Sequence, residues 1–148
     1  MIFDPAGRLL ILKPTYKKGW TIPGGQLDAD GESPWDACRR ETGEECGLVV
    51  ERGRLACVDY LSPKPGRPGG MRFLFDCGTF PDGAFLALVL QEAEIEDYRL
   101  SELEDALEML SGPLRRRIFQ CAGRDGFVYL ENGRPVPGVD ESCGGSPA

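Results

Sequence analysis

Histidine is absent from all 148 residues. That removes the commonest general base, the serine–histidine and cysteine–histidine triads, and histidine metal ligands. Any proton chemistry must run through Glu, Asp, Lys, Tyr, Cys or metal-activated water. Positive charge is also scarce. Seventeen Lys and Arg face 24 Asp and Glu, a net charge of −7, which argues against duplex nucleic acid as a partner, since that needs clustered cations. No apolar run is long enough to span a membrane. The opening Met1–Ala6 carries neither a basic nor an apolar secretory region, so a cytoplasmic location is expected. The six cysteines form no Cys-x-x-Cys pair; reduced thiols are the expectation, with disulfides left open. No repeat and no linker interrupts the chain. One domain over 1–139 is expected, with a Gly/Ser-rich, flexible tail over 140–148.

What the chain does have is carboxylates in an unfavourable place. Ser33 followed by Pro34 reads as a helix cap and first turn, and Gly47 as the stop. A helix from about 34 to 46 then carries Glu41, Glu44 and Glu45 in its last two turns. Each faces the negative end of the helix dipole at about 0.3–1 kcal/mol. Glu41 also repels the other two by about 0.2–0.5 kcal/mol per pair. Such local conflict is tolerated mainly where function needs it, and a hard divalent cation such as Mg²⁺ or Mn²⁺ resolves it. At 100° per residue, Trp35, Cys38, Thr42 and Cys46 form the apolar stripe. The carboxylates fan out beside it, Glu45 nearest and Glu44 farthest. Arg40 stands four residues before Glu44, within ion-pair reach. On the helix alone, a solvated acidic end explains the composition as well.

The segment before the helix decides between these. It runs Trp20-Thr21-Ile22-Pro23-Gly24-Gly25, and Glu32 follows. The diglycine allows backbone to approach a ligand closely. Taken with Arg40-Glu41-x-x-Glu44-Glu45-x-Gly47-Leu48 and the seven residues between Glu32 and Arg40, this stretch resembles the signature of the Nudix family, MutT-like pyrophosphatases among them. Two departures stand out. Six residues, not five, separate Gly25 from Glu32, which places the extra residue in the turn over 27–30. Thr42 replaces a larger aliphatic residue.

The resemblance implies an α/β fold, an α/β/α sandwich around a mixed β-sheet, with only Met1-Ile2-Phe3 left of the usual first strand, so that strand is short or clipped. It implies a hydrolase acting on phosphoric anhydride bonds. The reaction is Mg²⁺- or Mn²⁺-dependent hydrolysis of a diphosphate in a nucleoside diphosphate derivative. Glu41, Glu44 and Glu45 are the implied metal ligands, with the Gly24 carbonyl as a further one. Arg40 would orient the glutamates and Glu32 would hold Arg40. The general base is Glu41 or Glu44 in some members and a later loop residue in others, which here points to Glu94. The alternative is a Nudix-fold nucleotide-binding or regulatory domain without catalysis. The partner is a small nucleotide-type molecule, with a homodimer left open. Tyr16 and Trp20 are candidates to flank a base. Lys13, Lys17, Lys18, Lys64, Arg67 and Arg72 are candidate phosphate contacts, though most of them read as ordinary surface charge.

The remaining pattern predicts strands over 8–13 and within 48–60, a Pro/Gly loop over 62–70, and two buried strands over 71–79 and 84–91 joined by Pro81-Asp82-Gly83. Ser101 with Glu104 predicts a capping box opening a short helix. A further helix is expected over about 113–122, and a small strand over 127–130.

Overall fold

The computed structural model describes residues 1–28 and 30–139. Ala29, inside the turn expected to hold the extra residue, and the tail over 140–148, including Cys143, lie outside the described residues. The chain opens on β1 (Leu9–Pro14), followed by α1 (Pro34–Cys46), β2 (Arg54–Leu61) and β3 (Gly70–Asp76). Then come α2 (Asp82–Leu86), β4 (Ile95–Ser101), α3 (Leu103–Met109) and α4 (Gly112–Cys121), and finally β5 (Val128–Glu131) and β6 (Arg134–Pro135).

Strand β1 pairs antiparallel with β4. The other four strands form a mixed sheet in the order β3-β2-β5-β6, in which β2 and β5 run parallel. Residues 1–3 join the two sheets. Phe3 bridges Leu9 on one side and Thr79 on the other. The Ile2 carbonyl accepts from Leu10, and the Met1 carbonyl accepts from Cys77. The short apolar start therefore does the work of a strand, although only three residues are present.

The continuous apolar run of β1 has a direct cause. Alternate residues of a strand point to opposite faces. Leu9 and Ile11 enter a core closed by α3 and α4, with Ala106, Leu110, Ile118 and Leu130. Leu10 and Leu12 enter a second core with Cys46, Leu48, Phe85 and Ile95, on the side of α1 and α2. A strand buried on both faces needs no polar alternation. The result is helices on both sides of a sheet, as expected from the sequence.

Helix α1 spans the predicted residues. The Ser33 hydroxyl accepts the Asp36 N–H at 3.1 Å, and Gly47 ends the helix at φ 74°. Trp35 meets Phe75 edge to face at 5.1 Å, fixing the helix against β3. Between β2 and α4, the fully buried Asp59 accepts Arg117 Nε at 2.6 Å and the Gly133 N–H at 2.9 Å.

Three expectations need correction. Residues 84–91 are not a buried strand. The one-turn α2 follows Pro81, only Phe85 of this run is fully buried, and Leu86 and Val89 lie in solvent. The partner of β1 is instead β4, whose Glu96, Asp97 and Arg99 look outward and disguise it as an acidic loop. The capping box does not form. Ser101 ends β4, and α3 starts behind Glu102 without a side-chain cap.

Candidate functional site

The three glutamates of α1 are graded in exposure as their helical angles require. Glu45 is 3% exposed, Glu41 is half-buried and Glu44 open to solvent. The turn over 22–27 closes on the first two. The Gly24 N–H donates to Glu45 Oε2 at 2.8 Å. The Glu41 carboxylate lies against the Cα of Gly25, in the space that a β-carbon there would fill. The diglycine is thus what lets backbone and carboxylates meet. The contact seen at Gly24 uses its N–H, whereas its carbonyl is the group expected to act as a ligand.

Arg40 ties the elements together. It holds Glu32 with two N–H groups, at 2.8 and 2.9 Å. It also reaches Glu44 at 3.0 Å, Glu41 at 3.2 Å and the Gln26 carbonyl at 3.1 Å. The planar guanidinium suits this multiple, partly bidentate bonding as an ammonium would not. Glu32 also accepts the Asp28 N–H at 3.0 Å, so the lengthened turn is fastened at its base. Thr42 turns its hydroxyl back onto the Cys38 carbonyl at 2.7 Å. Its methyl is thereby left to the core, which explains why the shorter residue is accepted there.

The electrostatics divide the acidic groups. Hydrogen bonds from Arg40, then from the Asp28 N–H, hold Glu32 down at about 2. Arg40 is raised in turn, above all by Glu32. Glu45 is pushed up to about 7 by burial, against the pull of the Gly24 N–H, and the charges of Glu41 and Glu94 add to the rise. A buried carboxylate with two anionic neighbours is a place for added positive charge. The donors are hard carboxylate oxygens, which fit Mg²⁺ or Mn²⁺. Among the described residues, no three acidic or cysteine side chains converge as a finished cage. Glu44 is the residue standing apart, drawn onto Arg40 one turn earlier on the helix.

The loop over 91–94 is docked on the end of α1. The Gln91 N–H donates to the Glu45 carbonyl at 3.1 Å, and the Glu94 carbonyl accepts from Thr15 at 2.8 Å. Glu94 therefore stands on the same side as Glu41 and Glu45. Tyr16 is there too: its hydroxyl is pushed up by burial and by Glu45, Glu94 and Glu41. Beside these groups opens a cavity of about 680 Å³ between the Ile22–Leu27 turn, the start of α1 and β3. Tyr16 and Lys17 stand at its edge, with Phe73, Phe75 and Arg72 among its lining residues. Trp20 is not in its lining. It packs beside the first core, pairs with Leu110 and lies under the Arg99 guanidinium at 5.0 Å. The lining role of Phe73 and Phe75 was not singled out from sequence, since β3 reads there as ordinary buried strand. Cys38, Cys46, Cys77 and Cys121 are free thiols, with Cys38 in the cavity lining.

The NUDIX domain family model matches residues 1–120. No curated protein matches the chain. Among solved structures, the MutT protein from Methanosarcina mazei Go1 is 25% identical, with a TM-score of 0.63 over 80% of this chain and 84% of the other. A C. elegans Ap4A hydrolase, in a binary complex, is 27% identical, with a TM-score of 0.53 over 73% and 80%. The NUDIX domain of Shewanella oneidensis NrtR, complexed with ADP ribose, shares the fold at 21% identity and a TM-score of 0.59 over 76% and 74%.

Proposed function

The chain belongs to the Nudix family of hydrolases, and from that premise we propose that it hydrolyses the diphosphate linkage of a nucleoside diphosphate derivative with Mg²⁺ or Mn²⁺. The observation that carries this reading is the buried Glu45, crowded by Glu41 and Glu94 and held by Gly24, whose turn lines an open cavity. Glu41, Glu44 and Glu45 would hold the cation, with the Gly24 carbonyl as a further donor. When bound, the cation supplies positive charge to the phosphate oxygens and acidifies the attacking water.

The chain's own residues do the rest. Arg40 keeps Glu41 and Glu44 within reach of one another despite their like charge. Glu32 fixes the plane of Arg40 through two parallel hydrogen bonds. Glu94 takes the proton from water in this reading, with Glu41 and Glu44 as the competing bases. Tyr16 borders the diphosphate, and the cavity against Phe73 and Phe75 receives the nucleoside, where an aromatic base packs on aromatic rings. Among the described residues, no helix is long and apolar enough to cross a membrane.

The test is a panel of nucleoside diphosphate sugars, dinucleoside polyphosphates and nucleoside triphosphates, each incubated with and without MgCl₂ or MnCl₂ and resolved by chromatography. Cleavage at the diphosphate that needs the cation and stops with EDTA is the expected result. Tight nucleotide binding with no cleavage under any of these conditions would make the chain a binding domain instead.

A further inference from the structure

A second cavity, of about 500 Å³, lies on the other side of Tyr16 and Lys17. These two residues line both cavities and so form the wall between them. The wall stands beside the acidic site. The Lys17 ammonium is near enough to favour the Glu45 carboxylate, and Tyr16 feels the charges of Glu41, Glu45 and Glu94. Those carboxylates line neither cavity, but Gly24 and Gly25, which touch Glu45 and Glu41, line the first, so a diphosphate reaching them across Tyr16 and Lys17 has room for one arm in each cavity.

The two cavities differ in chemistry. The first has aromatic and apolar walls in Phe73, Phe75, Ile22 and Leu27. The second is lined by Lys13, Lys17 and Lys18. Lys13 is matched by Glu96 at 3.1 Å. Among the described residues, Lys17 and Lys18 have no ion pair at all. Lys17 lies over the Tyr16 ring at 5.4 Å. In a chain of net charge −7, two adjacent unmatched ammonium groups beside a cluster of carboxylates mark a place for a supplied anion. Lys17 acts on Glu45 only at longer range and Glu96 in the same lining is taken by Lys13, so a neutral sugar in this cavity would leave both lysines without a paired counter-charge.

We propose that the Lys17–Lys18 loop binds the second arm of the substrate, and that this arm is anionic. The substrate class is then a polyphosphate carrying at least one phosphate beyond the reacting diphosphate, in preference to a nucleoside diphosphate sugar. This inference rests on the hydrolytic reading above, and the experiment separates the two.

Inorganic tripolyphosphate and pyrophosphate are titrated into the full chain by calorimetry in excess MgCl₂. Tripolyphosphate binds about tenfold more tightly, as one screened charge-assisted contact would give. Lys17→Ala and Lys18→Ala each remove most of that preference, and Arg124→Ala, an equal change of net charge at an exposed residue outside both cavities, leaves it intact. Equal affinity for the two anions, or a preference that survives the Lys17→Ala/Lys18→Ala double variant, overturns the proposal. In parallel, Lys18→Ala lowers kcat/KM for a dinucleoside tetraphosphate by roughly tenfold while sparing a nucleoside diphosphate sugar. An equal loss on both substrates also overturns it. A lysine-dependent calorimetric preference with no cleavage of any compound upholds the anion site and sinks the hydrolytic reading. Cleavage without that preference does the reverse.

Discussion

Gly25→Ala should separate the site from the fold. The three atoms nearest to a β-carbon at Gly25 all belong to the Glu41 carboxylate, and even the farther oxygen, Oε2, would be 2.7 Å away. Backbone strain is not at issue, since the Gly25 φ lies outside the left-handed region. The carboxylate is the free end of a flexible side chain, so it yields. Leaving its place costs a less favoured rotamer, about 0.5–1.5 kcal/mol, and weakens the 3.2 Å contact with Arg40, worth up to about 1 kcal/mol at this exposure. The sum, about 1–2 kcal/mol, lowers Tm by roughly 2–8 °C in a chain of this size. Activity should suffer far more. A reacting group displaced by about 1 Å can cost on the order of a hundredfold in rate. Gly123→Ala is the control, because its β-carbon meets no atom within 4 Å but its φ of +70° is strained for alanine, at about 1–3 kcal/mol. The two variants should rank in opposite order for stability and for rate. The assays are differential scanning calorimetry and initial rates over a MgCl₂ series on the best substrate. A Gly25→Ala protein with wild-type kcat and an unmoved metal dependence would remove Glu41 from the proposed site.

The buried Glu45 gives a pH signature. Its folded pKa, about 7, lies above the ordinary 4.5, so its protonation stabilises the metal-free protein below pH 4.5, and that stability is lost as pH rises through 7. The loss is roughly 3 kcal/mol at most. Urea titrations without metal should show it between pH 5 and 8, and Glu45→Gln should flatten the slope. The Glu32 shift, to about 2, acts only at lower pH, where its contribution is lost as pH falls, and leaves this window clear. Saturating Mg²⁺ should restore stability at pH 8, since a ligand of the folded state alone raises its stability; an equally flat profile in wild type and variant would refute the assignment. Glu94→Gln should keep the Mg²⁺ midpoint of the thermal shift and lose most of kcat, whereas an unchanged kcat and pH profile returns the base to Glu41 or Glu44. Asp59→Ala leaves Arg117 uncompensated beside α4 and should cost about 3–5 kcal/mol in denaturant titrations; a loss below about 1 kcal/mol would show that the pair does not anchor that helix.

The candidate site was legible where the sequence carries a local penalty. Three glutamates at the negative end of a capped helix, with Ser33, Pro34 and Gly47 fixing its ends, located the acidic face and even the order of burial from Glu45 to Glu44. Local patterns failed where burial is decided by distant partners. The run Ala84–Leu90 is apolar enough for a strand, yet Leu86 and Val89 face solvent because β4, not this run, fills the place beside β1. Strand β4 itself was hidden by Glu96, Asp97 and Arg99 on its open side. Trp20, before Pro23-Gly24-Gly25, fits either a base-flanking place or, as is commoner for a Trp there, a packing one. The pairing of its backbone with Leu110 draws it to the first core. The cavity walls at Phe73 and Phe75 depend on which strand faces the turn over 22–27, which no short window of sequence encodes.

The double burial of β1 has an informational consequence. Leu9, Leu10, Ile11 and Leu12 offer nearly interchangeable side chains to the two cores. A slip of one residue would merely exchange the faces of these four side chains, and its cost falls at the ends, where Arg8 or Lys13 would enter the fully buried place of Leu9 or Leu12. The ends must encode the register. At the start, Asp4 grips the Arg8 N–H and side chain at 2.8 and 2.7 Å. At the finish, the pairing with β4 breaks step between Lys13 and Pro14. Between these two stops the strand has one setting, and that setting is transmitted to the side of the molecule that carries the glutamates. Thr15, Tyr16 and Lys17 follow Pro14 directly, and a one-residue slip would carry them about 3.3 Å along the sheet. A turn closed by one ion pair at the start of the chain thus acts as the reference mark for the loop beside the candidate site.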